Sequence, residues 1–365
     1  MKSVVDIVGF CLSFVSFFGI YAILTLSLNL EYGFGGQPNF GQALFYGMGA
    51  FVTAILTSNL LLILTHQHLE NICTISSLVE RETIATSNPS VTLLAWAISG
   101  ITSIVVGAIL GFIASYPALR VKEEWYLAMV LLVAAQIFVI VFRYNTRLGC
   151  GFDGIAGISN PFSWLVSLTP INSPVIPNLV YSAIILLFTY LCFVLTERLT
   201  NSPFGRLLKS VRDDWLASST LGKNVNKIRT QVMIIGSSMA SLAGWLYVYY
   251  IGVANTEDYT STFTFSIWVM MILGGFANNR GAVVGAFFIT ALDRFTLIGS
   301  TLLQAYFPGF NPNIISYSKY LLESLLLLLL LVRPKGIMKE GIILTPAYRL
   351  FSLRMGEKKN ERNYS

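Results

Sequence analysis

Two features of this 365-residue chain dictate an all-α integral membrane protein. Only 12% of its residues are charged while 55% are hydrophobic, against about 25% charged in an ordinary globular domain. The apolar residues also fall in continuous runs, such as LLESLLLLLLLV at 321–332, rather than in the short alternating segments of a membrane β-barrel. The expected architecture is a polytopic helical bundle with broken, glycine-rich transmembrane helices, about 8 to 10 of them at roughly 20 apolar residues per crossing.

In chain order, the runs place spans at 4–30, 43–64, 91–119, 125–142, 179–195 and 231–251, a broken region at 263–304, and a last span at 317–332. The first run is too long, and lacks the small-residue cleavage pattern, for a standard signal peptide. It is expected to stay as the first span. The broken region fits two crossings or a re-entrant pair. One transmembrane domain over 1–345 and a basic tail over 346–365 account for the chain, leaving no room for a separate soluble domain.

Orientation follows from the basic residues. Arg198, Arg206, Lys209, Arg212, Lys223, Lys227 and Arg229 crowd the loop 197–230, and eight more, from Arg333 to Arg362, crowd the end of the chain. Cytoplasmic loops carry the excess of Lys and Arg, so both segments are assigned inside, and the N-terminus then lies outside. Basic ends beside membrane helices reflect topology, and a nucleic-acid partner is not expected. The polar segment 66–90, with Glu70, Glu80 and Glu82, and the segment with Glu257 and Asp258 are assigned outside. Cys73 and Cys150 both fall outside, which leaves an external disulfide or two free thiols as the alternatives. The four cysteines form no C-x-x-C pair, and His66 and His68 are the only histidines. A metal or redox site has no support.

Gly36 to Ala43, GQPNFGQA, carries two glycines at the spacing of a nucleotide-binding loop. Such a loop needs a Lys for the phosphates and a hydroxyl for Mg²⁺, and Gln42 and Ala43 stand there instead. The segment 35–51 is weakly echoed by 274–288, each with paired glycines, an Asn-containing turn and a closing Gly-Ala-Phe. Broken helices in a bilayer are tolerated where the freed backbone lines a cavity or is buried in protein. Close packing or a path therefore explains these clusters, and a path is expected around Gly36, Gln37, Asn39, Gly41, Gly274, Gly275, Asn278 and Asn279. Gly281 and Gly285 have the four-residue spacing of helix interfaces. Asp153 and Gly154, in the glycine-dense stretch 145–161, fit either an external turn or a vestibule lining. Asp293 and Arg294 interrupt an apolar run, and ionisable residues at membrane depth are functional or paired by default. Adjacent helical residues do not face each other, which favours an interfacial position for this pair.

The loop SPFGRLLKSVRDDWLASSTLG, 202–222, is the most informative stretch. Apolar residues at 207, 208, 211, 215, 216 and 221 keep helical spacing, and Gly222 supplies a stop. One amphipathic helix is expected, lying on anionic lipid or docking a soluble partner through Asp213, Asp214 and Trp215.

At this loop the chain resembles the M-type permeases of branched-chain amino acid ABC importers, whose cytoplasmic coupling segment matches Gly205 to Gly222. Further stretches agree in order: 33–51 with the early glycine-rich segment, RVKEEWYLAMVLLVAAQI (120–137) with the Arg-x-x-x-x-[YF]-[LF]-A span, FDGIAGI (152–158) with an external Thr-Asp-Gly-Ile motif, ILGGFANNRGAVVGA (272–286) with the late glycine segment, and LLVRPKGI (330–337) with a closing Phe-Arg-Pro-x-Gly. Phe152 stands in place of the family's Thr or Ser, and Ala277 and Ala282 in place of its Gly and Pro. The resemblance implies that Gly205, Arg206, Arg212, Asp213, Asp214, Trp215 and Gly222 couple the chain to a separate ABC ATPase, where ATP and Mg²⁺ would bind. It further implies a second homologous permease and an extracytoplasmic binding protein as partners, no enzyme activity on this chain, and a place in the cell membrane. Branched-chain or other apolar amino acids are the implied solutes, with urea and short amides as the alternative. A self-contained secondary transporter or channel is the rival class, and the scarcity of mid-membrane carboxylates counts against a proton-driven carrier.

Overall fold

The computed structural model describes residues 7–65, 72–120, 124–168, 174–306 and 336–340. The expected last span 317–332, the tail 346–365, His66, His68, Glu70, Arg333 and Lys335 lie outside the described residues. Helix α1 (Ile7–Leu28) runs straight into a π-helical turn, Asn29–Phe34, and α2 (Gln42–Leu64) turns back. Then come α3 (Ile75–Ser87), α4 (Pro89–Arg120), α5 (Glu124–Tyr144), the single turn α6 (Thr146–Gly149) and α7 (Val175–Asn201). The chain continues through α8 (Pro203–Asp213), α9 (Trp215–Thr220), α10 (Val225–Ile251), α11 (Ser261–Gly274) and α12 (Asn279–Tyr306). Among the described residues, seven helical stretches are long and apolar enough to cross a membrane, with the shorter apolar α11 beside them. The chain is an all-helical, multi-pass membrane protein.

Helix α10 forms the centre, packed by α4, α2, α1 and α7. Its small residues let the neighbours approach: a Cβ on Gly244 would run into the Tyr46 carbonyl of α2, and one on Gly107 of α4 would meet the Ser241 side chain. Ser103 Oγ donates to the Ser241 carbonyl at 2.9 Å while Ser241 Oγ donates to the Ser103 carbonyl at 2.7 Å. With lipid outside as apolar as the helix surfaces, such backbone approach and polar contacts drive association. Helices α11 and α12 meet in the same way, Gly274 against Gly281 and Gly285 against Met270.

Three expectations need correction. The first span does not stop at Leu30, because the backbone stays helical to Phe34. The segment 145–161 is more than turns: β1 (Ile155–Ala156) pairs antiparallel with β2 (Val253–Ala254), and a disulfide joins Cys73 to Cys150. Asp293 and Arg294 do not end a helix at an interface. They sit within α12, where Arg294 Nη2 reaches back to Asp293 Oδ2 at 3.0 Å and its guanidinium lies 3.5 Å from the Phe17 ring centre. The length of the arginine side chain overcomes the adverse positions of neighbouring residues, and a charge buried in this way is paired.

Candidate functional site

The basic loop folds as two helices rather than the single one expected. Ser202 Oγ accepts the Phe204 N–H at 3.1 Å and Pro203 follows at the first helical position, a start that satisfies an otherwise orphaned donor. Helix α8 then ends at Asp214, whose backbone is extended (φ −155°, ψ 100°) and whose carboxylate accepts the N–H groups of Leu216 and Ala217, both at 2.9 Å. Asp214 thus caps α9 and breaks the chain direction between the two helices. The break divides the apolar residues. Leu208 and Val211 of α8 are buried in a small core with Leu30, Phe34, Val225, Ile228, Val232 and Ala277, whereas Trp215, Leu216 and Leu221 are 40%, 59% and 77% exposed. Arg206, Asp213 and Asp214 are exposed as well. Gly205 lies tight against the Thr200 backbone, and Gly222 (φ +75°) turns the chain towards α10.

Arg212 turns the other way, into the protein. Its Nη1 donates to the Gly33 carbonyl at 2.7 Å, its Nε to Asp213 Oδ1 at 3.0 Å, and its Nη2 to both Glu340 oxygens at 3.3 Å. Lys209 Nζ joins Glu340 at 2.9 Å. Two segments that were separate in the sequence, the basic loop and GFGGQPNFG, therefore meet at the Arg212 side chain. Gly36 has φ +69°, and a Cβ there would stand 3.2 Å from the Arg212 Cα. Only glycine combines that left-handed backbone with so close an approach at little cost. Tyr32, Gly33, Gly36, Arg212 and Phe276 line a cavity of about 240 Å³ at this contact.

The remaining expected path residues divide between packing and internal hydrogen bonds. Gln37 Nε2 donates to the Arg229 carbonyl at 3.0 Å. Asn39 accepts the Gly41 N–H at 2.8 Å and donates to Glu31 Oε2 at 2.7 Å. Gly41 packs against Leu131 and Gly274 against Gly281, while Gly275 (φ +116°) faces Gly336. Asn278 Oδ1 caps α12 at the Gly281 N–H, 3.1 Å away, and its amide donates to the Lys339 carbonyl at 3.0 Å. Asp153 and Gly154 are not brought to this group. Gly154 packs on Ala254 beside the ribbon, Asp153 is exposed, and Phe152 lies under the Arg143 guanidinium.

Glu31 and Asn29 escaped the sequence reading, which did place Asn279 with the expected path. Glu31 is fully buried, holds the Asn39 amide at 2.7 Å and the Gln42 amide at 3.4 Å, and fits only because position 236 is glycine. Asn29, in the π-helical turn before the first glycine-rich segment, is tied to the second: its Nδ2 donates to Asn279 Oδ1 at 3.1 Å, and its Oδ1 accepts the Ala277 N–H at 3.0 Å. Asn279 in turn donates to Glu197 at 3.1 Å and Thr200 at 3.0 Å, at the end of α7. The π-helical turn widens the backbone where Asn29 and Glu31 sit, a form that appears frequently at functional sites. With Asp293, Glu31 makes two acids buried within candidate spans among the described residues.

Residues 10–332 match the family described as branched-chain amino acid transport system, permease component. The chain belongs to that family. This permease is 29% identical to a probable branched-chain amino acid transport permease protein LivM of Methanocaldococcus jannaschii, over 90% of its own length and 93% of the relative's. It is 25% identical to the high-affinity branched-chain amino acid transport system permease protein LivM of Escherichia coli K12, over 87% and 68% of the two lengths. The corresponding LivH protein of Escherichia coli K12 is 24% identical over 87% of the permease and 91% of the relative. No solved structure matches the permease.

Proposed function

We propose that this permease is the M-type subunit of an ABC importer for branched-chain or other apolar amino acids, and that α8 and α9 are its coupling segment. The carrying observation is the Arg212 fork. It ties the segment that offers Trp215, Leu216 and Leu221 outward to the glycine-broken end of the first span. A docked ATPase pushing on α9 moves α8, and α8 is fastened to the Gly33 carbonyl and wedged on Gly36. Gly205, Arg206, Asp213, Asp214 and Gly222 shape that segment, and Gly36 lines the cavity beside it.

In this reading 197–230 faces the cytoplasm and 66–90 faces outside, with the Cys73–Cys150 bridge on the external side, where disulfides persist. ATP and Mg²⁺ belong to the ATPase subunits, since Gln42 and Ala43 occupy the places of a P-loop's Lys and hydroxyl. A second permease completes the pathway, and an extracytoplasmic binding protein delivers the solute. Alternating access follows: ATP binding closes the ATPases, α9 carries the motion inward, and hydrolysis resets it.

Reconstitution tests the proposal. Proteoliposomes holding this permease, its partner permease and the ATPases, supplied with the binding protein, should accumulate L-leucine only with ATP inside the ATPase compartment. Leucine equilibration by this chain alone, independent of ATP, would establish the rival channel or secondary-transporter class instead.

A further inference from the structure

A second cavity, of about 220 Å³, opens at the end of the bundle that carries the Cys73–Cys150 bridge and the β1–β2 ribbon. Its walls come from five elements. Tyr21 of α1, Tyr46 of α2 and Tyr247 of α10 turn towards it, Asp258 stands in the 3₁₀ turn Thr256–Tyr259, and Thr262 and Ser266 descend along α11.

The aromatic rings form a fixed box. The Tyr46 ring centre lies 5.5 Å from that of Tyr247 and 5.1 Å from that of Phe263, and Tyr21 lies 5.5 Å from Phe263. Their positions are held from behind by Tyr259, 5.0 Å from Tyr46. The carboxylates divide by role. Glu257 is occupied by Arg143 at 2.5 Å. Asp258 is half-buried, has the Tyr247 hydroxyl as a neutral hydrogen-bond donor, and its carboxyl is raised above the usual carboxylate range because burial outweighs that hydrogen bond. Arg294 pairs with Asp293 and lies over the Phe17 face, and its side chain also hydrogen-bonds Tyr21 from behind the cavity wall. Electron-rich ring faces and a carboxylate, in a cavity sized for one small solute rather than a drug-sized ligand, are the chemistry that receives an organic ammonium group.

We infer that this cavity is an outer solute site, in which Asp258 and the faces of Tyr21, Tyr46 and Tyr247 receive the α-ammonium group of an amino acid while Thr262 and Ser266 offer hydroxyls to its polar remainder. The inference rests on the importer reading for its placement on the solute's route. Its chemistry is independent of that reading. A solute lacking an ammonium group, such as urea, gains nothing from Asp258.

Thiol labelling tests this without transport. In the assembled importer in whole cells, with exposed Cys11 replaced by serine, Thr262→Cys is treated with impermeant methanethiosulfonates of opposite charge. The cationic reagent should react about tenfold faster than the anionic one, relative to their rates with 2-mercaptoethanol, from the local field of a carboxylate. Asp258→Asn should remove that preference and Asp258→Glu should keep it. Ser266→Cys gives the same reading should Thr262→Cys fail to insert. L-leucine and isoamylamine should slow the labelling, and 4-methylpentanoate, with leucine's side chain but no ammonium, should not. Equal rates for the two reagents, no labelling from outside, or equal protection by 4-methylpentanoate would overturn the site. Parallel ATP-driven leucine uptake by the unlabelled importer reads the importer assignment separately, so either can fail while the other stands.

Discussion

Replacing Arg212 by alanine removes the guanidinium that hydrogen-bonds α8 to the glycine-broken end of the first span. The loss comprises a charged hydrogen bond to the Gly33 carbonyl at 2.7 Å and ion pairs to Asp213 and Glu340, with the arginine side chain itself 23% exposed. A hydrogen bond to a charged group contributes about 1.5–3 kcal/mol, whereas ion pairs with exposed partners add about 0–1 kcal/mol. Discounted for solvent screening, the seating of α8 on the segment should weaken by about 2 kcal/mol, or about thirtyfold. The burial of Leu208 and Val211 is untouched, so the protein should insert and α8 should persist. The assay is uptake and ATP hydrolysis measured in the same proteoliposomes. ATP turnover should continue while solute moved per ATP falls severalfold or more. Arg212→Lys, which keeps the charge and loses the fork, should lie between. An inserted Arg212→Ala protein with unchanged solute per ATP would refute the coupling route.

Asp214→Ala removes the cap of α9, at a cost of about 1 kcal/mol; hydrogen exchange over 215–220 should quicken and uptake should fall, while Asp214→Asn should retain most of both. Ala277 has φ +53°, a left-handed position that costs a residue with a Cβ about 1–2 kcal/mol. Ala277→Gly should therefore raise stability by about 1 kcal/mol in a thermal melt in detergent, and a lower melting point would contradict the strain. Replacing Cys73 and Cys150 by serine opens a loop with a sequence separation of 77. Limited proteolysis should then cut around α3 (Ile75–Ser87), leaving the central packing of α10 intact.

Much of the fold was legible because membrane spans announce themselves as long apolar runs: six of the seven spans were read singly, to within about six residues of their helices, while α12 was left inside the broken region 263–304. Glu31 was missed because the apolar run stops at Leu30 while the backbone stays helical to Phe34. Hydropathy marks where a span becomes polar, not where its hydrogen bonds end. The division of the basic loop into α8 and α9 was missed because Leu207 to Leu221 keeps one helical period throughout. Only the capping role of Asp214, a residue type at home at such starts, could have shown the break. The meeting of Arg212 with Gly33, and of Asn29 with Asn279, joins positions separated by 179 and 250 residues. No local pattern encodes such contacts. The echo between 35–51 and 274–288 was the nearest signal, since the π-helical turn just before the first segment packs at Gly33 on Ala277 of the second.

The docking role of α9 is the claim on which the account turns, and cross-linking reads it directly. Cysteines introduced at Leu216 and Leu221 in the assembled, transporting importer should form thiol cross-links to an ATPase subunit, with a yield that changes on ATP binding. A cysteine at Thr86, also exposed but on α3 near the Cys73–Cys150 bridge, should form none. An importer that accumulates solute while no position on α8 or α9 cross-links to its ATPase would contradict the account.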